Sequence, residues 1–407
     1  MNLTDSLAGT TNININGSNN NVYNSDIYVL SVSGNKLVLQ NYAINSLTNG
    51  AHEEALEAIV NSSTASGALA AMKNYVNGST SSYAKSEAVK SAEAQVDNSG
   101  NRIAFNNINT VGSLVSNRLD TLRSGISSGE GMKNKAMWAQ AMGSSVKQGN
   151  TSIDGYDAKT TGLAFGFDNQ VDDNLILGVS GAYSHSSVNG RNSSKDTFID
   201  NYQLSFYSGF ETKDFFLNGV VGFGWNEYKS SRYISVASAE ARANYSGQSY
   251  SARAEIGQNY KMQNDVIFTP TLTLTAAKNS VDSYDESGAG TLNLHVRNDS
   301  ANFFETRAGA QVKKFYKTKS GEKFAPQFSV SYGYDFAGNR QKATSNFIGQ
   351  NLNFTNSGAR IAQGSLKIGT GIEFFARNDL SLSANYIFEN RNQYSAHSGW
   401  LKARYNF

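Results

Sequence analysis

The chain has 407 residues, with 35 Lys and Arg against 33 Asp and Glu, for a formal net charge of +2. Both signs are spread along it, so no basic block points to nucleic acid and no acidic tail to a solvating segment. There is no Cys, which excludes disulfide staples and thiolate metal sites. No run of about twenty apolar residues could form a membrane helix, which leaves strands that dilute their apolar residues by alternation.

Residues 1–50 are rich in Asn, Ser, Gly and Thr, with short β-like runs such as Thr11-Asn12-Ile13-Asn14-Ile15 and Ile27-Tyr28-Val29-Leu30. This segment reads either as the end of a β-solenoid-like domain or as an Asn-rich linker. Residues 51–100 change to helical composition: 51–60, 67–72 and the Ala, Lys and Glu-rich stretch from Tyr83 to Val96 predict two or three short helices. In 101–130, Ile108, Val111, Val115, Leu119 and Leu122 fall at helical spacing, and Gly125 suits a C-terminal cap. A helix of about 15 residues there is roughly 22 Å long, close to the height of a barrel's apolar band.

From 131 to 407 the pattern is strands. Twelve are predicted, near 136–147, 158–170, 174–189, 197–212, 214–229, 246–262, 265–281, 300–316, 323–338, 362–376, 379–390 and 398–407. Alternate connections are short, such as Val171-Asp172-Asp173 and Gln263-Asn264-Asp265. The others are longer and polar, including about 230–245, 282–299 and 339–361. Outer-membrane barrels pair short periplasmic turns with long outer loops in this way. The final strand is diagnostic: Leu401, Ala403, Tyr405 and Phe407 share one face, while Trp400, Lys402, Arg404 and Asn406 share the other. Apolar outward and charged inward fits a wall with lipid outside and water inside. Two Pro among 37 Gly, 21 Tyr and 22 Phe suit long strands with aromatic girdles. The expected fold is therefore an all-β membrane barrel of twelve antiparallel transmembrane strands. Such a protein must cross an inner membrane. Met1 is followed by Asn2-Leu3-Thr4-Asp5 rather than a signal peptide, so the chain is expected to be the C-terminal piece of a longer precursor.

The order of marks over 100–407 resembles the translocator end of a type Va autotransporter. These are an amphipathic helix at 106–124, Met137-Trp138-Ala139-Gln140 opening the first strand, Gly155-Tyr156-Asp157 and Gly162-Leu163-Ala164-Phe165-Gly166-Phe167-Asp168 in the second, and the closing strand Gly399 to Phe407. The resemblance implies an α-helix threaded through the lumen and an N-terminal passenger carried to the cell surface from a Gram-negative outer membrane. It also implies that Tyr405 and Phe407 form a signal read by the barrel-assembly machinery. Some members cut the passenger free between two lumenal asparagines, so Asn106 and Asn107 are candidates for a single-turnover self-cleavage through a succinimide. Gly112, Ser113 and Leu114 depart from that subgroup's more charged motif.

Such a cut would need a base, and Glu255, Glu305, Glu373 and Glu389 are the inward acids available. Arg118, Asp120 and Arg123 of the helix and Arg253, Arg307 and Arg404 of the wall are candidate helix–lumen contacts; the alternative is a wet lumen of solvated charges. The four His show no metal spacing, and no nucleophile elbow, Walker loop or dinucleotide fingerprint is present. No cofactor, metal or nucleic-acid partner is expected. The expected partners are outer-membrane lipid, the assembly machinery and the chain's own passenger, with the barrel a monomer. A porin-like channel, or an anchor that keeps a surface adhesin without releasing it, are the competing readings.

Overall fold

The computed structural model describes residues 52–123 and 135–407, apart from 80, 95, 97–98, 152, 192, 194, 320–321, 339, 359–361 and 376–379. Before these it describes the backbone of three short strands, Val22–Asn24, Val29–Ser33 and Lys36–Gln40, paired antiparallel in sequence order.

Four helices follow: α1 (Glu53–Asn61), α2 (Gly67–Gly78), α3 (Ser82–Ser91) and α4 (Ser99–Arg123). Glu53 and Glu54 stand in the first turn of α1, where the helix dipole favours them. Its buried face carries Leu56 and Ile59; that of α2 carries Leu69, Met72 and Val76, at helical spacing. The Ser81 hydroxyl caps α3 by accepting from the Ala84 N–H.

Twelve long strands close into one barrel: β1 (Lys135–Gln148), β2 (Tyr156–Asp172), β3 (Leu175–Gly190), β4 (Lys195–Glu211), β5 (Phe216–Ile234), β6 (Ala239–Gly257), β7 (Val266–Val281), β8 (Ala301–Lys314), β9 (Lys323–Asp335), β10 (Gly364–Phe375), β11 (Leu380–Arg391) and β12 (Tyr394–Asn406). Each pairs antiparallel with its sequence neighbour. β12 closes the circle on β1, in a register running from Tyr394 opposite Gln148 to Asn406 opposite Ala136. The Phe407 N–H adds a bond to the Lys135 carbonyl at 2.9 Å. A closed ladder satisfies the backbone in lipid without leaving an edge.

The faces are inverted relative to a water-soluble domain. Leu274, Phe206, Val221, Phe328 and Leu401 are exposed on the outside, whereas Lys402, Arg404, Glu305 and Glu373 are buried inside. At one end the turns are tight: Asn264 and Asp265 take φ of 60° and 59°, which Asn and Asp tolerate better than other residues. With the long connections all at the other end, the rule for outer-membrane barrels makes this the periplasmic end.

Two differences from the sequence reading concern the outer end. The expected loop at 230–245 is strand: β5 runs to Ile234 and β6 starts at Ala239, joined by a single 3₁₀ turn at Ser235–Ala237. Its Ser, Ala, Arg and Glu composition hides an alternation that pairing reveals. The expected loops near 282–299 and 339–361 carry a sheet of their own, in the order Tyr284–Asp285, Leu294–Asn298, Lys342–Phe347, Asn353–Ser357. α1 packs on Asn353–Ser357, α2 on the 3₁₀ turns at Ser235–Ala237 and Gly290–Leu292, and α3 on β5, and all three share one apolar cluster with this sheet. Lys90 of α3 pairs with Asp154 in the β1–β2 loop. Burial works against its ammonium, but Asp154 and Glu87 outweigh it and hold its pKa above the ordinary lysine value.

Candidate functional site: the helix-filled lumen

The contacts of α4 fix its direction. Asn101 meets Asn279, two residues from the outer end of β7, and the Arg102 guanidinium lies 5.0 Å from the ring centre of Tyr394, the outermost residue of β12. Farther along, Asn107 donates to the Ser184 hydroxyl on β3 at 2.9 Å. A Cβ at Gly112 would stand 2.9 Å from the Arg253 side chain on the inner half of β6, so the missing side chain lets wall and helix approach. The helix thus descends from the outer mouth toward the periplasm. At about 1.5 Å per residue it has length enough to cross the apolar band. It reaches back to Ser99, ahead of the expected 106 start, because polar residues at 101, 102 and 106 find partners on the wall that no apolar periodicity announces.

The outer lumen has an apolar sector beside a charged one, since Arg391 stands opposite Tyr394 on the wall. Ile103 is packed among Val146, Val188, Ile199, Tyr228 and Tyr394, a collar around the helix. Below it Phe105 stacks on Phe303 with centroids 5.2 Å apart, and Ile108 joins this cluster. Beside the collar a chain of amides crosses the wall. Asn201 donates to Asn226 at 2.6 Å, Asn226 to Asn279 at 3.3 Å, and Asn279 to the Asn101 side-chain oxygen at 2.7 Å. Gly247, inward on β6 and paired with Asn226, has no room for a side chain: a Cβ there would stand 2.6 Å from the Ser280 carbonyl oxygen and 3.2 Å from the Tyr228 ring.

The four inward glutamates sit on the wall, each beside a cation of the wall itself. Glu305 accepts two bonds from Arg307, both 2.9 Å, and one from Arg391 at 3.1 Å. Glu389 accepts from Arg391 at 2.7 Å and pairs with Lys367 at 3.6 Å. Glu373 pairs with Lys313 at 3.7 Å. Glu255 accepts from Arg253, Asn218 and Thr273 at 2.9, 3.0 and 3.2 Å. Arg307 also donates to Ser365 at 2.5 Å. Arg404 is buried on β12, within the lower lumen.

Asn106 donates to the Tyr394 hydroxyl at 2.8 Å. Among the described contacts, Arg253 is the expected contact residue seen against the helix, at Gly112. Arg118, Asp120 and Arg123 lie on the described backbone of α4, but their side chains fall outside the described residues. Tyr405 and Phe407 point outward, with ring centroids 6.3 Å apart, and Phe407 also meets Phe167.

Sequence reasoning missed Asn101, Arg102, Ile103, Phe105, Tyr228, Asn279, Phe303, Arg391 and Tyr394. Inward parity could have found the wall members: Tyr394, Ala396, Trp400 and Arg404 share one face of β12. Among the described residues no group of three His, Cys, Asp or Glu could hold a metal ion.

A family model described as the autotransporter beta-domain matches residues 137–387. Outer membrane protein B of Rickettsia prowazekii (strain Madrid E) is 26% identical over 321 residues, 72% of this chain and 20% of that protein. Outer membrane protein B of Rickettsia conorii (strain ATCC VR-613 / Malish 7) is 24% identical over 405 residues, 95% of this chain and 24% of that protein. The chain therefore spans a quarter or less of these relatives' length. The translocator domain of the autotransporter NalP from Neisseria meningitidis superposes with a TM-score of 0.58 at 15% identity, covering 74% of this chain and 98% of that one. The transport unit of AIDA-I from Escherichia coli gives 0.52 at 18%, covering 67% and 90%. At such identities the likeness shows the fold alone, a twelve-stranded barrel. The family match covers more than half of the chain, and with it the chain belongs to the autotransporter β-domain family, in the Gram-negative outer membrane.

Proposed function

We propose that this chain anchors and exports its own N-terminal passenger, and that the lumen closes afterwards around α4. The observation that carries the reading is the direction of that helix: Asn101 and Arg102 lie at the outer mouth and Gly112 at the inner half of β6, so everything before Ser99 emerges at the cell surface. A porin-like channel has no use for a helix gripped by a collar at Ile103. Lipid contacts the outward apolar belt. On this reading Tyr405 and Phe407, outward on the closing strand, are what the barrel-assembly machinery reads before β12 meets β1. The barrel works as a monomer on this reading.

The helix stays continuous with the passenger. Asn106 is held by Tyr394, and the four candidate bases are engaged by Arg253, Arg307, Arg391, Lys367 and Lys313. A succinimide at Asn106 needs a free base beside its side-chain amide. The test is expression behind a signal peptide with an N-terminal epitope. The expected result is an epitope cleaved by protease on intact cells, with an uncut chain in the outer membrane. An epitope protected in a folded barrel overturns export. A new N-terminus at Asn107, lost in Asn106→Ala, overturns the uncut helix.

A further inference from the structure

The largest buried apolar cluster among the described residues is not in the membrane. It lies above the outer mouth and is built from two halves. Ile59, Met72 and Val89 come from the helical segment before α4; Leu292, Val296 and Phe347 come from the barrel's outer hairpins. All six are at most 1% exposed, so either half alone would present this surface to water. Polar contacts stitch the seam. Buried Arg232 at the top of β5 forms a two-pronged pair with Glu286 and donates to the carbonyls of Ser91 at 2.6 Å and Leu292 at 3.1 Å. The Leu69 N–H donates to the Thr291 hydroxyl at 3.0 Å, which donates to the Ser66 carbonyl at 2.6 Å. Gly358 is the pinch point: a Cβ there would stand 2.2 Å from the Val96 carbonyl oxygen, just before α4 begins.

We infer that the outer hairpins are a receptor for the chain's own segment 52–96, and that its docking is a lock that holds α4 in the lumen and keeps the pore shut. The order of events follows from geometry. A twelve-stranded lumen holds about one helix or a hairpin of extended chain, so a cap of three helices can form only outside. Once formed, it cannot retreat. The hairpin half is on the outer face from the start, so the two halves meet only when the segment has arrived. The lock deepens the export reading and rests on it for the direction of arrival. Its effect on the pore does not, because that can be read on purified protein.

The experiment is conductance of the full 407-residue chain in planar bilayers, with protease cutting of segment 52–96 as the monitor of the cap. Wild type should open rarely. Ile59→Asp with Met72→Asp should make the segment protease-sensitive and raise the opening frequency about tenfold or more, in a barrel that still shows heat-modifiable migration. The chain has no cysteine, so a Thr64→Cys, Gln350→Cys pair can be added to that variant and bridged by a short bis-methanethiosulfonate linker; the native side chains bond across the seam at 3.1 Å. Bridging should return the openings to the wild-type level and dithiothreitol should release them. A cut, undocked segment over a pore as quiet as wild type overturns the proposal. If the double variant fails to assemble, Gly358→Ala and Met72→Ala are read in the same way. Lost surface exposure of the passenger with normal gating would count against export alone and leave the lock standing.

Discussion

The membrane belt and the outer cap use the same side chains in opposite places. In the belt, Leu274, Phe206 and Phe328 face outward and are left open by the protein, while Glu305 and Arg307 are sealed inside. A few strand residues higher, Ile59, Leu292 and Phe347 turn inward against each other. The backbone geometry barely changes between the two; β5 and β6 run through both. What changes is the solvent. Lipid rewards apolar groups on the outside, and above the headgroups water forces them together. The collar at Ile103 is the junction, where apolar side chains of the wall close on the helix that connects the two regions.

The largest effect should come from opening the belt. Removing 394–407 deletes β12 and leaves β1 and β11 with unpaired edges in hydrocarbon, at several kcal/mol per orphaned group. No heat-modifiable barrel should form. A folded eleven-stranded product would show that closure through β12 is dispensable. Next comes the sealed charge cluster. Glu305→Gln leaves Arg307 and Arg391 facing each other without that carboxylate, and breaking a buried pair costs about 3–5 kcal/mol. Urea unfolding in lipid vesicles should show it. A loss under about 1 kcal/mol would mean lumen water already screens these charges, and the wet-lumen reading would hold. Third, Leu274→Arg on the lipid face of mid-β7 should cost about 2–4 kcal/mol. Ser329→Arg, on the lumen face of mid-β9 where the side chain is only partly buried, should leave the lipid face untouched and cost less. Equal costs would show that the two faces are not in different solvents.

Much of this belt was legible in the sequence, because alternation carries the information there. The split faces of Leu401, Tyr405 and Trp400, Arg404 follow from period two alone. The cap was not legible. Its helices show apolar stripes, but nothing in Leu294 or Phe347 says that a barrel hairpin will be their partner; the two halves are some 200 residues apart in sequence, and only tertiary packing joins them. The lumenal grip was hidden for another reason. Sequence reading looks for charge to meet charge, and the four glutamates were natural candidates. In the fold they are engaged by Arg and Lys of the wall, several on the same strand, and the described helix contacts are asparagines, Arg102 over Tyr394, a collar of Val, Ile and Tyr, and Arg253 against Gly112.

That grip gives the smallest and most discriminating prediction. Asn279 occupies the hinge of the amide chain: it accepts from Asn226 and donates to Asn101, so it couples the wall to the helix without changing either fold. In Asn279→Ala the barrel ladder is intact, and the loss is about 1–3 kcal/mol for the buried partners left unpaired. Asn101→Ala removes the helix side of the same bond. If the amide chain is one unit, the double variant should cost less than the two single costs added, since the shared bond is lost only once. Full additivity would mean that water or other wall groups replace the bond, leaving the Ile103 collar and the outer cap to hold the helix between them. Amide hydrogen exchange at α4 reads the difference directly: coupling through Asn279 predicts faster exchange from 99 to 107 in either single variant, with the strands of the belt unchanged.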